Sequence, residues 1–263
     1  LKLSFFKYQG SGNDFILIDD RSCFFPIQDE KMIRFLCSRN FGVGADGLIL
    51  LQESTIAQFR MRIFNSDGLE ADFCGNGLRC LILYLKDLGY QQDSFLIETQ
   101  QTIIPCSIQG NKTTAELPHP KVLHWGVKVG DHEAYVVNTG VPHAVAFVED
   151  LEEVPVSVLA PPIRFHPRFG PEGVNVNFVK VGADGTLRMR TYERGIEGET
   201  LSCGSGAAAA ALVASQKENL PLPIRVMTKS GDTLEFSIKE LPEGKKIEMQ
   251  GSACFVFEGR IEI

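Results

Sequence analysis

Two cysteines, Cys74 and Cys203, each stand directly before a Gly-x-Gly, in Cys74-Gly75-Asn76-Gly77 and Cys203-Gly204-Ser205-Gly206. A run with helical spacing follows each one. Leu78, Leu81, Ile82, Leu85 and Leu88 recur after the first, and the alanines at 207–211 with Leu212, Val213 and Ala214 after the second. A helix start offers unpaired backbone N–H groups and a partial positive charge. A thiol placed there is expected to ionise near neutrality. The same N–H groups can hold a carboxylate, and glycines let a bound molecule approach the backbone closely. Two such thiols on opposite sides of one carbon could remove a proton from one face and return a proton to the other. The negative charge that develops on the carbon would lie near both helix starts.

The elements that must carry these groups come in two copies. Tyr8 to Asp19 and Asn138 to Glu149 each read as a strand, a small-residue turn and an apolar strand closing on an acid. Arg39-Asn40-Phe41-Gly42-Val43-Gly44 resembles Arg168-Phe169-Gly170-Pro171-Glu172-Gly173, and Arg62-Ile63-Phe64-Asn65 resembles Arg190-Thr191-Tyr192-Glu193. Gly10 to Gly44 spans 34 positions and Gly140 to Gly173 spans 33; Gly44 to Cys74 and Gly173 to Cys203 are both 30; Cys74 to Thr99 and Cys203 to Thr228 are both 25. Landmarks in the same order at an offset of 129 or 130 mark an internal duplication. The halves are expected at 1–118 and 119–253, with the boundary at Leu117-Pro118-His119-Pro120 and a last strand at 254–263 completing the first half. Segments 15–19, 59–64 and 95–99 read as strands and 30–38 as a short helix. The helices after the cysteines are apolar on most faces and so are expected to be buried. The expected fold is α/β (α+β): two pseudo-symmetric halves, each a curved sheet or barrel around a central helix.

A lone cysteine before a helix is more often a small core residue than a reactive one. The repeat reverses that reading for Cys74 and Cys203. Cys80 lies inside the first helix and reads as packing, and Cys23, Cys37, Cys106 and Cys254 have no special context. Seven cysteines with no C-x-x-C, and five histidines with no H-x-x-x-H, point to neither a disulfide framework nor a metal site. A net charge of −7 argues against nucleic acid and anionic membranes as partners. The first residues read as a strand and turn rather than a signal-peptide core, so a cytoplasmic protein is expected. Gly42-Val43-Gly44-Ala45-Asp46-Gly47 fits G-x-G-x-x-G, but a helix precedes it and a strand follows, the reverse of a dinucleotide site.

Gly12-Asn13-Asp14-Phe15, Phe64-Asn65-Ser66-Asp67-Gly68, Cys74-Gly75-Asn76-Gly77-Leu78-Arg79-Cys80, Pro142-His143, Asn175-Val176-Asn177-Phe178, Tyr192-Glu193-Arg194-Gly195, Gly198-Glu199-Thr200 and Cys203-Gly204-Ser205-Gly206-Ala207 together resemble the diaminopimelate epimerase family, from one end of the chain to the other. The resemblance implies an epimerase that works without pyridoxal phosphate or any other cofactor, converting LL-diaminopimelate to the meso form for lysine and peptidoglycan precursors. It implies an active site in the cleft between the halves, with Cys74 and Cys203 as the acid/bases. Gly75, Asn76, Gly204 and Ser205 would hold the α-carboxylate; Asn13, Asn65, Asn175, Glu193 and Arg194 would bind the rest of a small amino-acid substrate. His143 and Glu193 would set the proton inventory near the thiols, and a homodimer is implied. Three places depart from the family pattern: Val141 before Pro142-His143, Gly47 after Ala45-Asp46, and one extra residue between Gly195 and Gly198. They suggest a looser or altered side-chain specificity. A two-cysteine racemase acting on proline or hydroxyproline, and a thiol redox protein, remain as other readings.

Overall fold

The computed structural model describes residues 2–117, 119–242 and 244–263; Leu1 and Pro118, the latter at the expected boundary, lie outside the described residues. Two compact units form, one of residues 1–115 with 251–263 and one of residues 116–250.

In the first unit β1 (Lys2–Gly10) and β2 (Asn13–Asp19) make a hairpin with Gly10 opposite Asn13. A crossover through α1 (Glu30–Cys37) brings β3 (Gly47–Gln52) parallel to β2, the connection that parallel neighbours require. Asp29 caps α1 by accepting from the Met32 N–H, and Glu30 and Arg34 sit at the ends the helix dipole favours. The sheet runs on through β4 (Phe59–Asn65), with the short β5 (Glu70–Ala71) on it. Next come α2 (Gly75–Asp87), then β6 (Ser94–Glu98) parallel to β4, β7 (Ile103–Gln109) and β8 (Lys112–Leu117).

Residues 15–18 of β2 and 48–51 of β3 are apolar without alternation because both faces are covered. Ile16, Ile18, Leu48 and Leu50 pack with Met32, Ile33 and Leu36 of α1. The alternate residues Phe15, Leu17, Ile49 and Leu51 pack with Leu78, Leu81 and Leu85 of α2. α2 meets β1, β2, β3, β4 and β7, so the sheet curls around it and its apolar residues find partners on almost every side.

The second unit repeats the plan. β9 (Lys121–Val129) pairs with β10 (His132–Asn138), which makes a hairpin with β11 (Pro142–Phe147). α3 (Val156–Arg164) crosses to β12 (Asn175–Val181), parallel to β11. β13 (Leu187–Glu193) follows, carrying the short β14 (Gly198–Thr200). α4 (Gly204–Lys217) leads to β15 (Ile224–Met227), β16 (Thr233–Leu241) and β17 (Gly244–Ser252). α4 packs against β10, β11, β12, β13, β15 and β16, with Ala207 to Ala211 wholly buried. Last, β18 (Cys254–Glu262) pairs antiparallel with β1, the place that β9 takes beside β10. The first unit therefore takes its edge strand from the far end of the chain.

Candidate active site

Both cysteines are N-caps of the buried helices. Cys74 (φ −146°, ψ 111°) caps α2 and Cys203 (φ −129°, ψ 106°) caps α4. Both caps have extended backbone beside a first turn whose N–H groups are unpaired, and the Cys74 side chain turns back to accept from one of them. Each cysteine is half-buried. The loop leading to it is strapped in the same way in both units. The Arg62 guanidinium makes a two-pronged bond to Glu70, at 2.8 and 2.6 Å, across β4 and β5. Arg190 does the same to Glu199, at 2.6 and 3.0 Å, across β13 and β14. In both units the glutamate lies four residues before the cysteine. The bond from Arg190 holds the Glu199 carboxyl below the usual range against the opposing effect of burial.

Around Cys74 the partners come from the β1–β2 hairpin. The Gly77 N–H donates to the Cys74 sulfur at 3.4 Å, and the thiol donates to Asn13 Oδ1 at 3.9 Å. Asn76 Nδ2 donates to the same oxygen at 3.3 Å. Asn13 is held from its other end, where Nδ2 donates to Asp46 Oδ2 at 2.8 Å. Asp46 in turn takes a bond from Arg39 at 2.8 Å. Asp14 next door is partly buried, which works to raise its pKa, but bonds from Arg39 and Lys7 prevail and hold it at about 2. Buried Lys7 also donates to the Gly44 carbonyl. The Gly42–Gly47 segment thus serves to orient Asn13 through Asp46. Gly47 has a packing reason of its own, since a Cβ there would lie 2.6 Å from the Phe64 carbonyl oxygen. Arg79 is wholly buried in α2; it donates to Ser11 Oγ at 2.9 Å and to the Ser252 carbonyl at 3.3 Å, tying the helix to the hairpin turn. Asn65 is exposed at the end of β4.

Around Cys203 the partners come from the β10–β11 hairpin and from β12. Ser205 Oγ lies 3.6 Å from the Cys203 sulfur and 2.9 Å from His143 Nε2. Thr139 Oγ1 donates to the Ser205 carbonyl at 2.8 Å, pinning the hairpin to the helix start. His143 is wholly buried, and burial, aided by the nearby Arg194 charge, pushes its pKa down to about 3. The imidazole is therefore neutral near pH 7. Asn175 is buried in a bridging role: Nδ2 donates to the Pro142 carbonyl at 3.2 Å and Oδ1 accepts from the Arg194 N–H at 2.8 Å. Glu193 accepts from Thr200 Oγ1, and Arg194 pairs with Glu172 at 3.2 Å. The turn after Glu193 uses Glu197, which accepts from Arg164 at 2.8 Å and from the Gly195 N–H at 3.0 Å.

In the first unit Cys74, Asn13, Asn76 and Gly75 come together; in the second Cys203, Gly204, Ser205 and His143 do, with Asn175 and Arg194 joined at the edge of the same hairpin. Reading the sequence alone misses Asp46, Asn177, Thr191 and the two Arg–Glu straps. The signals were present: Asp46 lies within a glycine-rich segment, and Asn177 is polar in a mostly apolar strand. Cys80 is wholly buried and burial pushes its thiol pKa far up, which suits packing. Cys37 and Cys106 are also buried, and Cys23 and Cys254 are exposed. Among the described residues no helix is long and apolar enough to cross a membrane.

A sequence model described as diaminopimelate epimerase matches residues 5–120 and 135–256. The two stretches start 130 positions apart, the spacing of the internal repeat. Among curated proteins, the diaminopimelate epimerase of Aquifex aeolicus is 40% identical, covering 98% of each chain. That of Methanothrix thermoacetophila is 42% identical over 98% of this chain and 95% of its own. Among solved structures, a Bacillus anthracis phenazine biosynthesis protein of the PhzF family is 17% identical with a TM-score of 0.77, covering all of both chains. A hydroxyproline epimerase from Agrobacterium vitis is 14% identical with a TM-score of 0.73, over 99% of this chain and 92% of its own. At such identities the likeness is one of fold.

Proposed function

We propose, from the premise that this chain belongs to the diaminopimelate epimerase family, that Cys74 and Cys203 are its two acid/base groups, one from each half. The chain is an isomerase, an epimerase of diaminopimelate. The reaction exchanges LL- and meso-2,6-diaminopimelate in lysine and peptidoglycan precursor synthesis. The observation that carries the two-thiol reading is the duplicated cysteine cap at the start of a buried helix, strapped in place by the same Arg–Glu pair in both units.

The substrate α-carboxylate accepts from the helix-start N–H groups at Gly75, Asn76, Gly204 and Ser205. One sulfur, as thiolate, takes the Cα proton, and the other, as thiol, delivers its proton to the opposite face. Proton count and charge balance without an oxidant or a cofactor, and the two sulfurs exchange roles with each turnover. The Cα–H is a very weak acid, so the charge on Cα must be stabilised as it forms. Fixed N–H dipoles in a site closed to water supply that stabilisation. Asn13, Asn65, Asn175, Glu193 and Arg194 recognise the distal amino-acid end, and His143 and Glu193 adjust the protons near the thiols. The enzyme is cytoplasmic and forms a homodimer. The exposed apolar residues Phe255, Val256 and Phe257 on the edge strand β18 support a dimer contact.

The test is incubation of reduced protein with LL-diaminopimelate and no pyridoxal phosphate, with chiral chromatography of the product. Meso-diaminopimelate is expected, with no turnover of proline or trans-4-hydroxyproline; shorter amino acids tried alongside test the altered specificity that Val141, Gly47 and the turn after Glu193 suggest. Turnover of proline-type substrates in place of diaminopimelate would contradict the substrate assignment and point to Val141 and the turn after Glu193.

A further inference from the structure

The line of polar side chains beneath the start of α4 includes two, buried Asn177 and Thr191, that the reaction as described does not use. We infer that Asn177 is a positioning residue for Cys203: held by Thr191, it fixes His143 as the Nε2–H tautomer and so turns the Ser205 hydroxyl to donate to the Cys203 sulfur. The inference rests on the reading of Cys203 as an acid/base group.

The direction of every bond follows from one carbonyl. The Ala144 oxygen can only accept, and Asn177 Nδ2 lies 3.0 Å from it. The Asn177 amide is thereby oriented, with Oδ1 accepting from Thr191 Oγ1 at 3.0 Å. The second Nδ2 hydrogen is left for His143 Nδ1 at 3.3 Å. Nδ1 must accept, so a neutral imidazole carries its single proton on Nε2. Nε2 donates to Ser205 Oγ at 2.9 Å, and the serine's own hydrogen is free to point at the sulfur 3.6 Å away. A thiolate accepts such a bond more strongly than a thiol does.

Two further observations set this line apart from ordinary core polarity. A Cβ on Gly206 would lie 2.4 Å from Asn177 Oδ1 and 3.2 Å from His143 Nδ1, so the amide and the ring come as close to the helix as a glycine allows. In the first unit the same strand position is apolar. Ile49 stands opposite Ile63 as Asn177 stands opposite Thr191, and a Cβ on Gly77 would lie 2.9 and 3.0 Å from their Cδ1 atoms. The fold is served by an Ile–Ile pair; the buried Asn–Thr pair loses hydration that its bonds must replace. Cys74 meets a different group, the Asn13 Oδ1 acceptor held by Asp46. The line therefore acts on one sulfur only.

The deciding measurement is 15N NMR of histidine-labelled, reduced protein at pH 7, with His143 assigned by its missing signals in His143→Gln. A protonated Nε2 and a bare Nδ1 are expected; a protonated Nδ1, alone or with Nε2, overturns the inference. In Asn177→Asp the carboxylate would accept from Nδ1–H, and Nε2 would then accept the serine proton. Iodoacetamide labelling of Cys203, read by peptide mass, should fall ~10-fold on loss of that donor, while labelling of Cys74 stays within about twofold. Unchanged labelling of Cys203, or an equal fall at both cysteines, overturns the proposed role. Should that variant fail to fold, Thr191→Val and Thr191→Ser serve instead: the valine should slow Cys203 labelling and the serine should restore it, and two equal rates would overturn the role. The tautomer is read without any turnover, so its failure and a failure to epimerise diaminopimelate are separate results.

Discussion

His143 is the residue whose environment most constrains behaviour with pH. Its pKa falls from 6.5 to about 3 in the folded chain, by burial first and the Arg194 charge second. The unfolded chain therefore binds the extra proton over that interval while the folded chain does not, so stability falls as pH is lowered from about 6.5 towards 3. The limiting slope is about 1.4 kcal/mol per pH unit. Asp14 adds a later loss between about 4 and 2, since its carboxylate is held low by Arg39 and Lys7. Urea midpoints measured at pH 7, 6, 5 and 4 should fall steadily, and His143→Gln should flatten the fall between 6 and 4. Parallel slopes in the two proteins would mean that His143 does not titrate as a buried neutral ring. The same residue scale shows what sequence conceals. Asn177 is 34 positions from His143 and 14 from Thr191. Their meeting depends on the register of β11, β12 and β13, which residue types alone do not reveal.

At the scale of elements, the two helix starts share a backbone and differ in what lies beneath. Gly206 faces the Asn177 amide and the His143 ring, whereas Gly77 faces the ends of two isoleucine side chains. Gly206→Ala should displace the polar line and lower kcat by ~10²-fold, the scale of a 1 Å misplacement. Gly77→Ala should cost about 1–3 kcal/mol of stability through overpacking, with activity within about tenfold of the parent. Steady-state kinetics and thermal melts of both variants check this, and equal kinetic losses would contradict the asymmetry. Much of this scale is legible beforehand. α2 and α4 follow from apolar spacing after Gly-x-Gly, and β2 and β3 from apolar runs between turn residues. α3 is not legible, because Pro161 and Pro162 stand inside it, each at a cost of about 3 kcal/mol in an isolated helix. Burial of Val156, Ala160 and Ile163 against β12 and β13 outweighs that cost, and burial of this kind belongs to the folded chain rather than to the local sequence.

Across the whole molecule the repeat is the organising fact. Each unit builds the same curled sheet around a helix, sets a cysteine at the helix start, and straps the preceding loop with an Arg–Glu pair. β18 beside β1 takes the place that β9 has beside β10, so the first unit is completed by a strand that follows the whole of the second unit. The duplication supplies two thiols at equivalent helix starts, which suits a reaction that must run in both directions. The differing residues beneath them, Ile49 and Ile63 against Asn177 and Thr191, allow the two sulfurs to be tuned separately.

The most direct test of the central claim, that each half contributes one working thiol, is solvent exchange in D2O. Reduced protein and its Cys74→Ala and Cys203→Ala variants would be given LL-diaminopimelate, with meso product and Cα deuterium followed by chiral chromatography and mass. The account predicts meso product carrying one solvent deuteron with the parent protein, and loss of meso product in both variants. Meso product that retains the substrate hydrogen, or full activity in either alanine variant, would contradict it.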